Sequence, residues 1–239
     1  MNLIIDYGNS SAKVGIFQHQ ALLSKMVFVA HTELRNFIQN FSGQSIIISS
    51  VSESANEIAG WATHFKSVFI VDHNLPLPIQ NNYSTPYTLG VDRIAAACGA
   101  KALFPDRNCL VIDSGTCVTY DFIDAKGTYH GGAISPGLRM RFQALNQLTA
   151  RLPLIEPEMS PELIGDSTAG SIQSGVVIGL IEEMNGVIRR YDEKFEKLQV
   201  ILCGGDTPFF ENQLKASIFA SPELVLSGLN SILIYNVNR

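Results

Sequence analysis

The stretch Cys109-Leu110-Val111-Ile112-Asp113-Ser114-Gly115-Thr116-Cys117-Val118-Thr119-Tyr120-Asp121 runs from an apolar strand into a carboxylate, a glycine and a hydroxyl, and then back into a second strand. Leu110 to Ile112 has the β-forming side chains of a buried strand, and Gly115 permits the tight reversal before Val118-Thr119-Tyr120. This reads as a hairpin with its acid at the turn. The same order of residue types opens the chain, where Leu3-Ile4-Ile5 is followed by Asp6, Gly8 and Asn9. A single Asp-x-Gly after a strand is ordinary turn chemistry, because Asp tolerates turn conformations and Gly supplies positive φ. Two copies imply more. Paired tips that each carry a carboxylate and free backbone N–H groups suit the phosphates of a nucleotide and the cation that accompanies them. The chain is therefore read as α/β with two related halves, 1–108 and 109–239.

Working outward, Lys13 lies in the return strand Ala12-Lys13-Val14-Gly15-Ile16-Phe17. There it can reach a phosphate, or serve only as an edge-strand lysine that resists aggregation. A third strand follows at 21–30, then a helix from His31 to about Phe41 with Thr32 as its expected cap. Ser45 to Val51 reads as a buried strand, 52–64 as a helix and 68–71 as a strand, so this half alternates strands with helices and turns parallel in its later part. From Asp72 to Thr88 prolines, asparagines and tyrosines replace any period, and a loop of that length is often functional. It delivers Leu89-Gly90-Val91-Asp92-Arg93 to the start of an alanine-rich helix. Asp92 is there a helix cap or a base on a substrate hydroxyl, and Arg93 an ion-pair partner or a clamp on a substrate anion; both roles are compatible.

In the second half, Gly131-Gly132-Ala133-Ile134-Ser135-Pro136-Gly137 leads into a helix over 138–149. Those glycines allow either a close ligand approach or a tight structural turn. A longer helix spans 169–188 with glycines at 170, 175, 179 and 186, a surface for close packing against another subunit or another part of the chain. The strand 200–202 ends in Cys203-Gly204-Gly205-Asp206, where a nucleotide base or ribose can lie, or an ordinary turn form. An amphipathic helix over 222–235 closes the sequence.

Composition narrows the function. At 239 residues, 46% hydrophobic and 16% charged, the chain has material for real cores without staples. A formal charge of −5, with no basic cluster beyond a pair such as Arg189-Arg190, argues against nucleic acid or an anionic membrane as primary partner and favours a small-molecule substrate. Cys98, Cys109, Cys117 and Cys203 show no C-x-x-C spacing and read as buried free thiols. No run is long and apolar enough to span a membrane, and the first residues enter a strand rather than a secretion signal, so a cytoplasmic protein is expected. No Gly-x-x-x-x-Gly-Lys-Ser/Thr loop occurs, which disfavours a P-loop NTPase.

Taken together and in order, Asp6-x-Gly-Asn-Ser-x-x-Lys13, Tyr83-x-x-Pro86-x-x-Leu89-Gly90-x-Asp92-Arg93, Asp113-x-Gly-Thr116-x-x-Thr119-x-Asp121 and Gly131-Gly132-x-Ile134-x-Pro136-Gly137 closely resemble the type III pantothenate kinase family. Arg151-Leu152-Pro153, Thr168 with Gly175, Gly204-Gly205 and Gly228-Leu229 extend the resemblance over essentially the whole chain. It implies two ribonuclease H-like halves of the acetate kinase, hexokinase and actin superfamily, and a homodimer. It also implies phosphorylation of pantothenate from ATP with Mg²⁺ and a monovalent cation, K⁺ or ammonium, as the first step of coenzyme A biosynthesis. Carried over by position, Asp6, Tyr7, Gly8, Asn9, Ser10, Ser11, Ala12 and Lys13 would cradle ATP phosphates, Thr116 would contact ATP, and Asp113 would bind the monovalent cation. Tyr83, Gly90, Val91, Asp92, Arg93 and Thr168 would bind pantothenate, with Asp92 as proton acceptor. Cys117 stands where the family usually has alanine, a small-for-small change. Two other readings keep the doubled hairpin: an acetate or sugar kinase or polyphosphate phosphatase, and a catalytically silent regulatory homologue resembling an accessory transcription factor. Retention of Asp6, Asp92 and Asp113 together weighs against the silent homologue.

Overall fold

The structure, a computed structural model, describes residues 1–8, 11–50 and 55–239. The expected turn residues Asn9 and Ser10, and the strand end and helix start expected within 51–54, lie outside the described residues. The chain divides into two compact units. One comprises Met1–Asp106, Lys126–His130 and Glu223–Arg239, the other Arg107–Ala125 and Gly131–Pro222. The first cut falls two residues before the boundary read from the sequence, while 126–130 and the closing helix group with the first unit.

In the first unit, β1 (Asn2–Tyr7), β2 (Ala12–Gln18), β3 (Ala21–Phe28), β4 (Ser45–Ser50) and β5 (Ser67–Ile70) form one sheet in the order β3-β2-β1-β4-β5. The first three strands are antiparallel, and β4 and β5 run parallel to β1. Period-two alternation explains why Leu3, Ile4 and Ile5 are all buried. Leu3 and Ile5, with Ile46 and Ile48, face α1 (His31–Asn40) and α2 (Ala55–Trp61) through Leu34, Ile38 and Ile58. Ile4 and Ile47 face the opposite layer, Ala95 and Cys98 of α3 (Val91–Leu103) and Leu229, Ile232 and Leu233 of the C-terminal helix Leu224–Val237. That last helix is buried at Leu224, Leu226, Leu229, Ile232 and Leu233, and also at Gly228 and Asn230, so it is a core helix rather than the amphipathic surface helix expected. It meets α3 at backbone distance: a Cβ on Gly228 would fall 1.8 Å from the Ala95 carbonyl oxygen, and one on Gly99 2.5 Å from that of Leu224. This contact fixes α3, whose first turn carries Asp92 and Arg93.

Thr32 does not cap α1. The N-cap position is Ala30, without a side-chain bond, and Thr32 is the second helical residue. The excursion after β5 holds only the short β6 (Gln80–Asn81), paired with Thr128 and Tyr129, and a 3₁₀ turn at Pro86–Thr88.

The second unit repeats the first unit's opening pattern. β7 (Asn108–Ser114) and β8 (Cys117–Ile123) form an antiparallel hairpin, and β10 (Leu198–Cys203) runs parallel to β7 as β4 does to β1. The sheet order is β11-β10-β7-β8-β9, with β9 at Thr128–Pro136 and β11 at Ile218–Ala220. Its core joins Leu110, Ile112, Tyr120 and Leu202 to Phe142 of α4 (Leu138–Gln147) and to Leu180 and Met184 of α6 (Gly179–Asp192). The long helix expected over 169–188 begins as α5 (Thr168–Gln173), passes through a π-helical stretch at Ser174–Ile178 and continues as α6. The short α7 (Thr207–Phe210) follows β10, and the C-terminal helix is α8. No helix among the described residues is long and apolar enough to cross a membrane. Cys98, Cys109 and Cys203 are buried as thiols, and Cys117 is half-buried.

Candidate active site

The apolar run of β1 puts Asp6 at the strand's end, directly across from Lys13 on β2 and beside Ser49 on β4. Gly8 N–H donates to the Ser11 carbonyl at 3.0 Å and closes the tip, with Ala12 fully buried behind it. Burial lifts the Asp6 carboxyl from 3.8 to about 6; Lys13 opposes the lift, the Asp92 carboxylate adds to it and Ser49 opposes it slightly. Ser49 Oγ is buried and, among the described residues, makes no hydrogen bond, so its effect on Asp6 is that of a nearby dipole. Tyr7 turns away from the strand tip. Its hydroxyl hydrogen-bonds His31 Nε2, and the His31 ring packs edge-on against Trp61. The β1–β2 tip is thereby tied to α1 and α2.

Asp92 and Arg93 stand in the first turn of α3, whose N-cap is Gly90 with no side-chain cap bond. Asp92 is therefore not the cap. Its Oδ1 accepts from the backbone N–H of Arg93 at 2.9 Å and sits 2.4 Å from where a Cβ on Gly90 would be, a position only glycine leaves open. Val91 packs on the core beneath. The Arg93 side chain is 7% exposed and lies over the Tyr83 ring at 5.7 Å, while Tyr83 in turn leans on the buried Tyr129 at 6.2 Å. The first unit thus brings a strand-end carboxylate, a facing lysine, a second carboxylate and a buried guanidinium on an aromatic ring into one neighbourhood. This combination can hold phosphate, take a proton and bind an organic anion.

In the second unit, Asp113 lies in β7 opposite Thr119, with Ser114 still in the strand, so the acid sits two residues before the turn rather than in it. Gly115 N–H donates to the Cys117 carbonyl at 2.9 Å, leaving the exposed Thr116 at the tip. Gly204, at φ +92°, comes so close that its Cβ would lie 2.3 Å from the Ser114 carbonyl and 2.4 Å from Asp113 Oδ1. Asp206 N–H donates to that same carbonyl at 2.9 Å. Burial raises the Asp206 carboxyl and Arg139 lowers it. The donors here are hard oxygens in a cradle that a single methyl group would fill, which suits a cation ligated by oxygen. Among the described residues no three His, Cys, Asp or Glu side chains converge as an all-protein metal cage.

Thr168 stands on a different element from this tip. It begins α5 after Ser167, whose Oγ accepts from Gly170 N–H, and it lines a groove of about 1130 Å³ with Arg141, Leu145, Leu148, Asp166 and Ile172. Sequence reading did not single out Ser49, Tyr129 or Asp206 as site residues. Ser49 ends an isoleucine run as Asp6 does, and Asp206 follows a strand-end glycine pair, so position relative to the strands was the available signal. Tyr129 had none.

A family model described as type III pantothenate kinase matches residues 2–190. The type III pantothenate kinase of Christiangramia forsetii is 43% identical over 99% of each chain, and that of Phocaeicola vulgatus 44% identical over 99% of each. Among solved structures, a Campylobacter jejuni protein assigned to the Baf family of transcriptional activators superposes with a TM-score of 0.67 at 21% identity, covering 99% of this chain and 100% of that one. A glucokinase from an Antarctic psychrotroph superposes with 0.51 at 9% identity over 98% of each. At these identities the structural matches speak to fold alone, an α/β chain with a sheet in each of two compact units. The family match and the relatives carry the assignment, and the chain belongs to the type III pantothenate kinase family.

Proposed function

We propose that the two strand tips and the first turn of α3 divide the work of an ATP-dependent pantothenate kinase, with Asp92 as the base. The reaction is that of the family: the γ-phosphate of ATP passes to the hydroxyl of pantothenate, opening coenzyme A biosynthesis. The observation that carries the assignment of roles is the charge of Asp92 bearing on Asp6. The residue proposed to take the substrate proton is thus close to the residue proposed to face the phosphates. Phosphoryl transfer passes through a loose transition state, so the protein's tasks are alignment and neutralisation of charge. Asp92, pinned by the Arg93 N–H and the absence of a side chain at Gly90, orients the hydroxyl and receives its proton. Arg93 and Tyr83 bind the pantothenate carboxylate and its neighbouring atoms, with Val91 and Thr168 completing the substrate contacts. Lys13 and the N–H groups from Tyr7 to Ala12 hold phosphate oxygens, and Thr116 meets ATP.

Asp6 and Asp113 are acids facing an anion, so each requires a cation between itself and the nucleotide. Asp6 would hold Mg²⁺ together with the ATP phosphates, and Asp113 would hold K⁺ or ammonium. When bound, these ions offset the charge that builds on the transferring oxygens.

A homodimer belongs to this reading. Two observations support it. Leu148, Leu163 and Ile164 are 83%, 72% and 84% exposed, and they lie on the Thr168 groove or next to its lining in sequence. Gly175, Gly179 and Gly186 have nothing within 4 Å of a would-be Cβ, so no packing within the described chain demands them. A surface of that kind suits a second copy. A cytoplasmic location completes the reading. The test is ATP turnover with pantothenate, acetate and sugars offered separately. ADP release that depends on pantothenate alone is expected, and turnover with the others but not with pantothenate would overturn the reading.

A further inference from the structure

The turn at Gly115–Thr116 is seated against another arc of the second unit. Gly137 N–H donates to the Thr116 carbonyl at 3.2 Å, and a Cβ on Gly137 would lie 2.2 Å from the Gly115 carbonyl and 2.4 Å from that of Thr116. Nothing bulkier than glycine fits, so wherever the Ser135–Gly137 arc goes, the turn must follow. Arg141 holds that arc. Arg141, one turn into α4, donates from Nε to the Pro136 carbonyl at 2.9 Å and from Nη2 to Ser135 Oγ at 2.9 Å. Arg141 is held in turn by Glu183 of α6, whose Oε2 accepts from Nη2 at 2.5 Å. The other carboxylate oxygen, Oε1, accepts from the hydroxyl of Tyr120 at 2.9 Å, and Tyr120 is a fully buried residue of β8, the strand that leaves the same turn. Burial opposes the charge on Glu183, but the bonds from Arg141, Ser135 and Tyr120 outweigh it and hold the carboxyl below its ordinary range.

We propose that Glu183 and Arg141 are positioning residues for the nucleotide side of the reaction: they lock the Ser135–Gly137 arc against Gly115–Thr116 and so fix where Thr116 and Asp113 present their oxygens. The chain of contacts is closed at both ends. Tyr120 anchors Glu183 to one strand of the hairpin, Arg141 carries the hold to the arc, and Gly137 returns it to the turn. A planar guanidinium with its donors in a fixed fork can meet a carboxylate, a carbonyl and a hydroxyl at once, which a lysine cannot. The proposal rests on the reading that this turn meets ATP and the monovalent cation. Small displacements of a positioned group are costly even when their cause is remote.

The experiment is steady-state kinetics of Glu183→Ala and Glu183→Gln, with Thr116→Ala in parallel and thermal denaturation of each. Glu183→Ala is expected to raise KM for ATP, and the K⁺ concentration for half-activation, about tenfold. KM for pantothenate should stay within about twofold. Glu183→Gln keeps the shape and an acceptor for Tyr120 or Arg141, so about threefold is expected; it carries the test if the alanine variant does not fold. A lower denaturation midpoint with unchanged KM for ATP, or an equal rise in both KM values, would overturn the proposal by reducing Glu183 to a structural residue. If Thr116→Ala raises KM for ATP while the Glu183 variants do not, the clamp fails and the site reading stands. If Thr116→Ala also leaves it unchanged, the reading of the turn fails and the proposal with it.

Discussion

Replacing Asp6 by Asn should make the ligand-free protein more stable at neutral pH while abolishing its activity. The folded protein lifts this carboxyl from 3.8 to about 6, so the folded state binds its proton more tightly than the unfolded chain does. A carboxyl shifted upward costs little at pH values below its unfolded value of 3.8, where both states are mostly protonated. Its cost grows as pH rises through the interval and is complete above about pH 6. At 1.36 kcal/mol per unit, a lift of about two units amounts to about 3 kcal/mol of stability forgone at pH 8. Because Asp6 retains some solvent access, about 1–3 kcal/mol is the range to look for. The cause is burial first, helped by the Asp92 charge and only partly offset by Lys13. Asn keeps the size and has no charge to desolvate. Urea denaturation of wild-type and Asp6→Asn protein, without nucleotide or divalent metal, at pH 4 and pH 8 reads this directly. The variant should gain at pH 8 and gain little at pH 4, and the pH slope of the wild type between those values should flatten. Equal stability of the two proteins at pH 8, or a variant less stable there, would refute the electrostatic account of this tip.

Three further outcomes follow from the same geometry. Activity should fall sharply when K⁺ and ammonium are both replaced by Na⁺, because an uncompensated Asp113 repels the nucleotide; equal rates in the three salts would contradict that assignment. Gly204→Ala forces a side chain onto a backbone at φ +92° and into the Ser114 carbonyl, so a loss of about 1–3 kcal/mol in denaturant stability is expected, with a raised KM for ATP; a neutral variant would mean the cradle is not rigid. Sedimentation should find a dimer at micromolar concentration and a monomer for Ile164→Asp, whereas a monomeric wild type would remove the assembly from the account.

The parts of the fold that follow from local pattern were legible in the sequence. The apolar runs at 3–5 and 110–112 became β1 and β7, each followed by its hairpin partner, and the parallel strands β4 and β10 came out of similarly short β-branched runs. Helix ends were less legible. A threonine at 32 and an acid at 92 looked like caps, yet the N-caps are Ala30 and Gly90, because tertiary packing, not a side-chain bond, sets where α1 and α3 begin. α8 carried an apolar stripe in sequence, but Gly228 brings it onto α3 closely enough to bury more than one face. β9 was hidden behind a glycine-proline stretch that read as a lead-in to α4. Long-range polar contacts left no trace at all: Arg141 and Glu183 are 42 residues apart, and Tyr120 and Glu183 are 63. The candidate site was accordingly half readable, its acids and glycines visible by position, the residues that hold them visible only once folded.

The central claim is that Asp92 takes the proton from the pantothenate hydroxyl, and kcat of Asp92→Asn tests it most directly. The amide keeps the size and an oxygen that can accept from the Arg93 N–H, so the fold and the affinity for ATP should be nearly unchanged. It cannot take a proton at neutral pH, and kcat at saturating ATP and pantothenate is predicted to fall on the order of 10²-fold or more. A folded Asp92→Asn protein that turns over at close to the wild-type kcat would contradict the account.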